Sequence, residues 1–201
     1  MNNDHTYNPL IHHRRSVRLK DYDYSSQGLY FITICVQDKK CLFGKIENDE
    51  MKLNAAGKMI MKWWAKVPEK FPDIILDEFI IMPNHFHAIV ENTGAKSDEV
   101  AVGANPRVRP EDRIENAQTD KFSTQLYYLV QWFKTMSTNE YIRNVKNIGW
   151  EPFDKKVWQR SYHEHIIRDQ KSYQKISEYI KSNPSRWEQD KFFMTDKLPH
   201  S

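Results

Sequence analysis

Runs of β-branched and aromatic residues mark the segments of this chain that are expected to form strands. The first run covers residues 28–36 (GLYFITICV), and a shorter extended segment is expected at about 41–46. Two further runs, 73–82 and 85–91, are separated only by a Pro-Asn pair that favours a hairpin-like turn. Strands joined by short turns pair antiparallel, so the pattern predicts a mainly antiparallel sheet.

Apolar residues at helical spacing predict three helices. Asn54 is suited to cap the first helix, which is expected to extend to about Val67, where Pro68 follows. The second is expected at 122–139 and the third at 171–182, where an Asn-Pro pair ends the pattern. Helices interspersed with hairpin-connected strands predict an α+β domain.

The chain divides into a central domain and peripheral segments. Its 201 residues are the size of one domain with tails. Residues 1–20 form a basic N-terminal arm, 21–187 the expected domain and 188–201 a C-terminal tail. Within the domain, residues 93–120 lose hydrophobic periodicity and gather Gly, Pro and charge, which predicts a long flexible insert. Residues 156–162 are expected to be a short extended segment.

Composition excludes several classes of protein. A hydrophobic content of 39% supports a core, but no apolar run is long enough for a membrane span. The N-terminal residues have no apolar stretch typical of a secretory signal. Cys35 and Cys41 are too few for a disulfide framework and are interpreted as reduced packing residues. We therefore expect a cytoplasmic protein without a membrane partner.

Positive charge is concentrated at the two ends of the sequence. Residues 1–20 carry four Lys or Arg against one acid, and residues 121–201 carry fourteen against nine. Residues 21–120 carry twelve against seventeen. If the two ends meet in the fold, they make a basic face that attracts phosphate backbones. The alternative is an ordinary solvated surface.

A His-x-His pair is the sharpest chemical signal. In a strand, alternate side chains share a face, so His85 and His87 project together while Phe86 points to the opposite side. Two adjacent imidazoles are suited to bind a metal ion. The alternative is two histidines of the surface or the core.

A second pair, His163 and His165, has the same spacing and is a competing ligand set. It lies in a segment that also contains Arg160 and Arg168, and such a setting suits phosphate contact better than cation binding. His165 and Arg168 on one stretch of backbone are candidates to hold a phosphate. The alternative is a half-buried strand at the edge of the sheet.

The last predicted helix carries a third candidate group. Ile176 and Ile180 mark its buried stripe, and Tyr179 and Asn183 lie four residues apart, on one face. Taken alone, a tyrosine beside an apolar stripe is typical of a core residue with its hydroxyl at the rim.

In combination, these segments resemble a known family. The sequences MPNHFH, WQRSYHEHIIRD and KSYQKISEYIKSNP are similar, in this order and spacing, to the single-tyrosine HUH transposases. The N-terminal stretch RRSVRLKDYDYSSQGLYFITICVQDKK resembles their REP-associated branch (RAYT proteins). The resemblance covers most of residues 14–187 and leaves out the 93–120 insert and the tail after Trp187.

The resemblance implies a fold, a site and a reaction. The fold is a ferredoxin-like sandwich, a mainly antiparallel sheet with helices packed on one face. His85 and His87 would bind a divalent metal, Mg²⁺ or Mn²⁺, with Asn183 as the third ligand. Tyr179 would be the nucleophile that cleaves single-stranded DNA near a palindromic hairpin. It would form a covalent 5′-phosphotyrosine intermediate through which strands can be rejoined.

Basic and aromatic residues would contact the DNA. The candidate phosphate contacts are Arg14, Arg15, Arg18 and Lys20 in the arm, and Lys134, Arg160, His165 and Arg168 in the C-terminal third. Trp132 and Trp158 are candidates to stack unpaired bases, with core packing as the favoured alternative.

The same sequence motifs are compatible with two other functions. One is a non-catalytic protein that binds palindromic repeats, and the other is a metal-dependent phosphodiesterase in which Tyr179 is structural. The oligomeric state is open between a monomer and a homodimer. An association with the bacterial nucleoid is expected for any of the DNA-binding alternatives.

Overall fold

A computed structural model describes residues 27–94 and 121–194, the latter without side chains for 121–124. The strands are β1 (Gly28–Cys35), β2 (Gly44–Glu47), β3 (Glu50–Leu53), β4 (Ile74–Ile81), β5 (His85–Asn92) and β6 (His163–Ile167). The helices are α1 (Ala55–Ala65), α2 (Val67–Lys70), α3 (Lys121–Ile148) and α4 (Gln170–Ser182). Short 3-10 helices cover Gln37–Lys39 and Pro184–Gln189.

The main sheet has four antiparallel strands in the order β4-β5-β1-β6. β1 is central and pairs with β5 on one side and β6 on the other. Leaving aside the β2–β3 hairpin and the short α2, the chain order is β1-α1-β4-β5-α3-β6, the βαββαβ order of a ferredoxin-like fold. The predicted α+β class with a mainly antiparallel sheet is confirmed.

One face of this sheet forms the main hydrophobic core. Even-numbered residues of β1 and β5, among them Ile32 and Phe86, pack against α1 and α3. Trp64 of α1 lies at the centre, with its ring centroid 4.7 Å from that of Phe86 and 5.3 Å from that of Phe133 in α3. Such aromatic contacts stabilise a core by about 0.5–1.5 kcal/mol each beyond the burial itself.

Helix α4 packs on the opposite face of the sheet. Ile176 and Ile180 form a second, smaller cluster with Ile89 of β5 and Ile167 of β6. The helix begins at the N-cap Asp169, whose side chain accepts from the backbone N–H of Ser172 at 2.7 Å. The expectation of helices on one face therefore holds for α1 and α3, while α4 covers part of the other face.

The two tryptophans considered for base stacking belong to the main core. Trp158 is buried, and its indole N–H donates to the hydroxyl of Ser137 at 3.0 Å. Trp132 packs edge-on against Trp63, with ring centroids 5.8 Å apart. The alternative of core packing is confirmed for both.

Several element boundaries differ from the sequence-based expectation. A hairpin of β2 and β3 stands where a single short strand was expected, and Asn48 and Asp49 in its turn both have positive φ. Pro68 lies in the first turn of α2, a position that lacks an intrahelical hydrogen bond to lose. The last strand covers residues 163–167, because these residues form a continuous ladder with β1. Within 156–162, Trp158 forms only an isolated bridge with Val36, and the backbone N–H of Gln159 donates to the carbonyl oxygen of Cys35.

Some predicted segments lie outside the described residues. These are the basic arm at 1–20, most of the insert at 93–120 and the end of the tail. Residues 188–194 of the tail are described and fold back onto the sheet, where Phe192 contacts His85. None of the described helices combines the length and the apolar character that crossing a bilayer requires.

Candidate metal and tyrosine site

The site lies on the face of the sheet that carries α4, here called the site face. His85 and His87 lie near the start of β5 and project onto this face, as their alternation along the strand predicted. Their ring centroids are 4.5 Å apart. Their side chains are fully buried, with 0% and 1% of the two residues exposed.

Each histidine is held through its Nδ1 atom. His87 Nδ1 lies 2.8 Å from the hydroxyl of Thr33 in β1, and His85 Nδ1 lies 2.9 Å from Asn84 Oδ1. The amide nitrogen of Asn84 donates to the carbonyl oxygens of Lys39 and Phe192, so its Oδ1 is the atom that accepts from His85. The proton of His85 is therefore on Nδ1, and Nε2 carries a free lone pair.

Tyr179 of α4 reaches the same place. Its hydroxyl lies 3.2 Å from Nε2 of His87 and 3.2 Å from Oδ2 of Asp190. Its ring packs edge-on against Phe31 of β1, with centroids 6.2 Å apart, and the Phe31 ring stacks on His87. Burial, followed by the nearby Asp190 carboxylate, raises the pKa of Tyr179 to about 12, so its hydroxyl is protonated at neutral pH.

Asp190 completes the group and was not among the sequence candidates. It follows the 3-10 helix after α4, where its Oδ1 accepts from the backbone N–H of Phe192 at 2.7 Å. Its Oδ2 also accepts from the amide nitrogen of Asn183 at 3.2 Å. Nothing in the local sequence marks this residue, because its place in the site depends on how the tail folds back.

The donor set fits a divalent metal ion. One potential ligand atom from each of His85, His87 and Asp190 lies within 4.8 Å of the other two. Nε2 of His85 and Oδ1 of Asn183 are buried without a hydrogen-bond partner, an arrangement that is costly unless another group satisfies them. Asn183, the predicted third ligand, is thus adjacent to the group, and the structure adds Asp190 as an oxygen donor.

Burial keeps both imidazoles in the form that binds metals. Desolvation lowers the pKa of His85 to about 4, although the Asp190 carboxylate acts in the opposite direction. Desolvation, with a smaller effect of His85, holds the pKa of His87 well below its usual value. Both rings are therefore neutral at neutral pH and have a lone pair available for a cation.

The folded-back tail covers the histidines. The ring of Phe192 lies 4.6 Å from that of His85, and the ring of Trp187 lies 5.9 Å from it. The segment is fastened by Lys39, whose Nζ donates to the carbonyl oxygen of Lys191 at 3.0 Å. This cover buries His85, while Phe31 and Tyr179 also pack against His87.

The position of Lys134 contradicts the expectation that this residue contacts DNA. It was a candidate for contact with DNA phosphates, but it is buried and its Nζ lies 3.0–3.4 Å from the carbonyl oxygens of residues 159–161. Burial lowers the pKa of Lys134 to about 8. An ammonium group that binds three carbonyl oxygens inside the protein is not available to a phosphate, so Lys134 supports the segment before β6 instead.

The other described candidates for DNA contact are exposed. Arg160 precedes β6, His165 lies within it, and Arg168 follows it. β6 is an edge strand of the sheet, which agrees with the strand-edge alternative for this segment. The register pairs His165 with Phe31 and His163 with Thr33, so both histidines project onto the site face. The remaining candidates, Arg14, Arg15, Arg18 and Lys20, lie outside the described residues.

Comparison with known proteins gives one close sequence relative. No family model matches the chain. An uncharacterized protein of Haemophilus influenzae is 44% identical over 188 residues, which cover 94% of this chain and 97% of that protein.

Two solved structures show weaker likeness. The structure of a REP-associated tyrosine transposase bound to a REP hairpin has a TM-score of 0.47 and 18% identity, covering 86% of this chain and 74% of that chain. A Deinococcus radiodurans protein provisionally named a transposase has a TM-score of 0.41 and 11% identity, covering 83% and 96% of the two chains.

Proposed function

This chain belongs to the same family as the uncharacterized Haemophilus influenzae protein, and we propose a function for the site that contains Tyr179, His85 and His87. The protein is a metal-dependent endonuclease and strand transferase, a transposase-type enzyme of the REP-associated single-tyrosine HUH kind. It cleaves single-stranded DNA beside a palindromic hairpin through a covalent 5′-phosphotyrosine intermediate.

One observation carries this proposal. The hydroxyl of Tyr179 lies 3.2 Å from Nε2 of His87, within the His85, His87 and Asp190 group that suits a metal ion. A nucleophile next to a cation site is suited to phosphodiester cleavage, because the cation stabilises charge on the phosphate under attack. A tyrosine with only a structural role would not need two unsatisfied metal donors beside it.

His85, His87 and Asp190 would hold the ion, with Asn183 as a further oxygen donor. When bound, Mg²⁺ or Mn²⁺ would polarise the scissile phosphate. Asn84 and Thr33 orient the two imidazoles through their Nδ1 atoms, the role of outer-shell partners in metal sites.

The proposed cleavage step exchanges one phosphate ester for another. The Tyr179 oxygen forms a bond to phosphorus, the bond between phosphorus and the 3′ oxygen breaks, and a free 3′ hydroxyl is left after that oxygen takes a proton from water. The phenolic proton has to leave because the hydroxyl is protonated at neutral pH. Because Asp190 would be a ligand of the bound ion, the phenolic proton would pass to water. A second DNA 3′ hydroxyl can reverse the step and rejoin strands.

Positively charged side chains would bind the phosphates of the DNA substrate. Arg160, His165 and Arg168 lie at or beside the edge strand β6, and the N-terminal arm would add Arg14, Arg15, Arg18 and Lys20. Phosphate contacts of this kind position a DNA strand without reading its sequence.

A denaturing-gel assay tests the proposal. Single-stranded hairpin DNA from sequences flanking the gene, labelled at its 3′ end, is incubated with Mg²⁺ or Mn²⁺ and the protein. We expect a labelled protein–DNA adduct with the wild type and none with Tyr179→Phe. Tyr173→Phe is the matched control, because Tyr173 lies on the same helix but its hydroxyl interacts with Asp77 of β4.

Other outcomes identify the alternatives. Cleavage without an adduct, unchanged by Tyr179→Phe, would indicate a metal-dependent phosphodiesterase. Binding without cleavage under every condition would indicate a non-catalytic protein that recognises palindromic repeats. An adduct that persists in Tyr179→Phe would assign the nucleophile to another residue.

A further inference from the structure

The site face is only half covered by helix α4. One flank of the helix faces β4, where Lys181 forms an ion pair with Glu78 and Tyr173 interacts with Asp77. The opposite flank carries Tyr179, which packs against Phe31 of β1. β1 and β6 form part of the site face, and this part therefore lies next to the flank of α4 that carries Tyr179. We call it the β1–β6 face and define it by Phe31, His163 and His165.

The β1–β6 face is partly exposed and directly continuous with the site. Phe31 is partly exposed, and its ring is stacked on His87 with centroids 5.2 Å apart. His163 and His165 are exposed at the sheet edge. Adjacent strands lie about 4.8 Å apart, so β6 is roughly 10 Å from the strand that carries His87.

Charge on this face favours an anion. The described residues of β1 and β6 that project onto it include no carboxylate, since Glu164 of β6 points to the other side. Lys175 lies one helical turn before Tyr179, on the same flank of α4, and is exposed. Arg160 is exposed in the segment that leads into β6.

We propose that the β1–β6 face binds the single-stranded DNA next to the scissile phosphate, with Phe31 stacking on a base there and Lys175 and His165 contacting phosphates. This inference rests on the proposed function and names a binding surface for it. A part-exposed aromatic ring between basic side chains is the arrangement that proteins use to bind unpaired nucleic acid. Phe31 takes the role that Trp132 and Trp158 cannot take, because both tryptophans pack in the main core.

The first test measures binding without chemistry. A fluorescein-labelled oligothymidylate of twelve residues is titrated with the protein in EDTA, so that no metal-dependent cleavage occurs. We expect Phe31→Leu to weaken binding roughly five- to hundredfold, the loss of one base–aromatic stack, and Phe31→Tyr to stay within about twofold. Phe79→Leu is the matched control, because Phe79 is an exposed aromatic residue of the opposite face of the sheet.

The phosphate contacts are tested by salt dependence. We expect Lys175→Gln to reduce the slope of log K against log salt concentration by about 0.7, the effect of one phosphate contact with a single strand. Lys58→Gln, at an exposed position of α1 behind the opposite face, should leave the slope unchanged.

A photo-crosslinking experiment locates the base. Single 5-iodouracil substitutions are placed on either side of the cleavage position, and the crosslinked peptide is identified by mass spectrometry. A crosslink to Phe31 supports the proposal. Crosslinks confined to other elements, or a Phe31→Leu variant that binds as tightly as Phe79→Leu, would overturn it.

Failure of this inference is distinguishable from failure of the proposed function. A protein that forms the Tyr179 adduct but whose Phe31→Leu variant binds normally overturns the stacking role alone. A protein that loses binding in Phe31→Leu but forms no adduct retains the surface and loses the reaction. Thermal unfolding of each variant confirms that the fold is intact, and Phe31→Tyr provides the rescue.

Discussion

The hydroxyl of Tyr179 lies 3.2 Å from Nε2 of His87, the nitrogen that a metal ion at this site would use. The same hydroxyl lies 3.2 Å from Asp190 Oδ2, and its single proton can be donated to only one of the two at a time. The phenol and the metal therefore compete for the His87 nitrogen and for Asp190. Metal binding is expected to release the nucleophile from both contacts.

This competition predicts the metal affinity of Tyr179→Phe. Removing the hydroxyl removes its contacts with His87 Nε2 and Asp190 Oδ2, so Mn²⁺ should bind as tightly as in the wild type or up to about tenfold more tightly, the value of one hydrogen bond. Isothermal titration calorimetry measures the difference. A clearly weaker affinity would mean that the phenol oxygen is itself a metal ligand.

A second prediction concerns the residue that holds His85. Asn84→Ala removes the acceptor for His85 Nδ1–H and two hydrogen bonds to the carbonyl oxygens of Lys39 and Phe192. Loss of an outer-shell partner of this kind weakens metal binding by about 10–100-fold. The measurement is a Mn²⁺ titration, with Asn139→Ala at an exposed position of α3 as control. Equal affinity in both variants would assign Asn84 a role in folding alone.

The fold was largely predictable from sequence because its elements follow local rules. The β4–β5 hairpin follows from two apolar runs around a Pro-Asn pair, and α4 lies between a capping Asp169 and an Asn-Pro pair. The β2–β3 hairpin was missed because its strands are short and mostly polar, and the turn depends on positive φ at Asn48 and Asp49.

The site was predictable only where one element supplies the residues. Strand alternation places His85 and His87 together, and helical spacing places Tyr179 near Asn183. Asp190 arrives from a tail whose path is fixed by tertiary contacts, such as the bond from Lys39 to the Lys191 carbonyl. Lys134 looked like a surface cation, but its burial depends on the segment that crosses over α3.

The burial of Lys134 predicts how stability changes with pH. Burial lowers the pKa of Lys134 in the folded protein to about 8, below the usual lysine value of 10.5, so between these two pH values the unfolded chain binds more protons than the folded one. The Lys134 contribution to the free energy of unfolding is complete above pH 10.5 and is lost as the pH falls through about 8. The free energy of unfolding of the wild type, minus that of Lys134→Met, should therefore increase as the pH rises from 8 to 10.

Urea unfolding at several pH values measures this difference. Lys58→Met, which removes an exposed lysine of α1, is the control and should show no such dependence. A difference between wild type and Lys134→Met that stays constant from pH 8 to 10 would mean that the lysine has an ordinary pKa in the folded protein.

The cover over the histidines is expected to slow the entry of a metal ion into the site. Phe192 is 8% exposed and its ring lies 4.6 Å from His85, so Phe192→Ala removes a ring that packs directly against this imidazole. We expect Co²⁺, followed by its visible absorption in a stopped-flow instrument, to bind several-fold faster in the variant. Met194→Ala is the control, because Met194 lies in the same segment but its side chain is exposed. Equal rates in the wild type and both variants would mean that metal reaches the histidines by a path that does not pass Phe192.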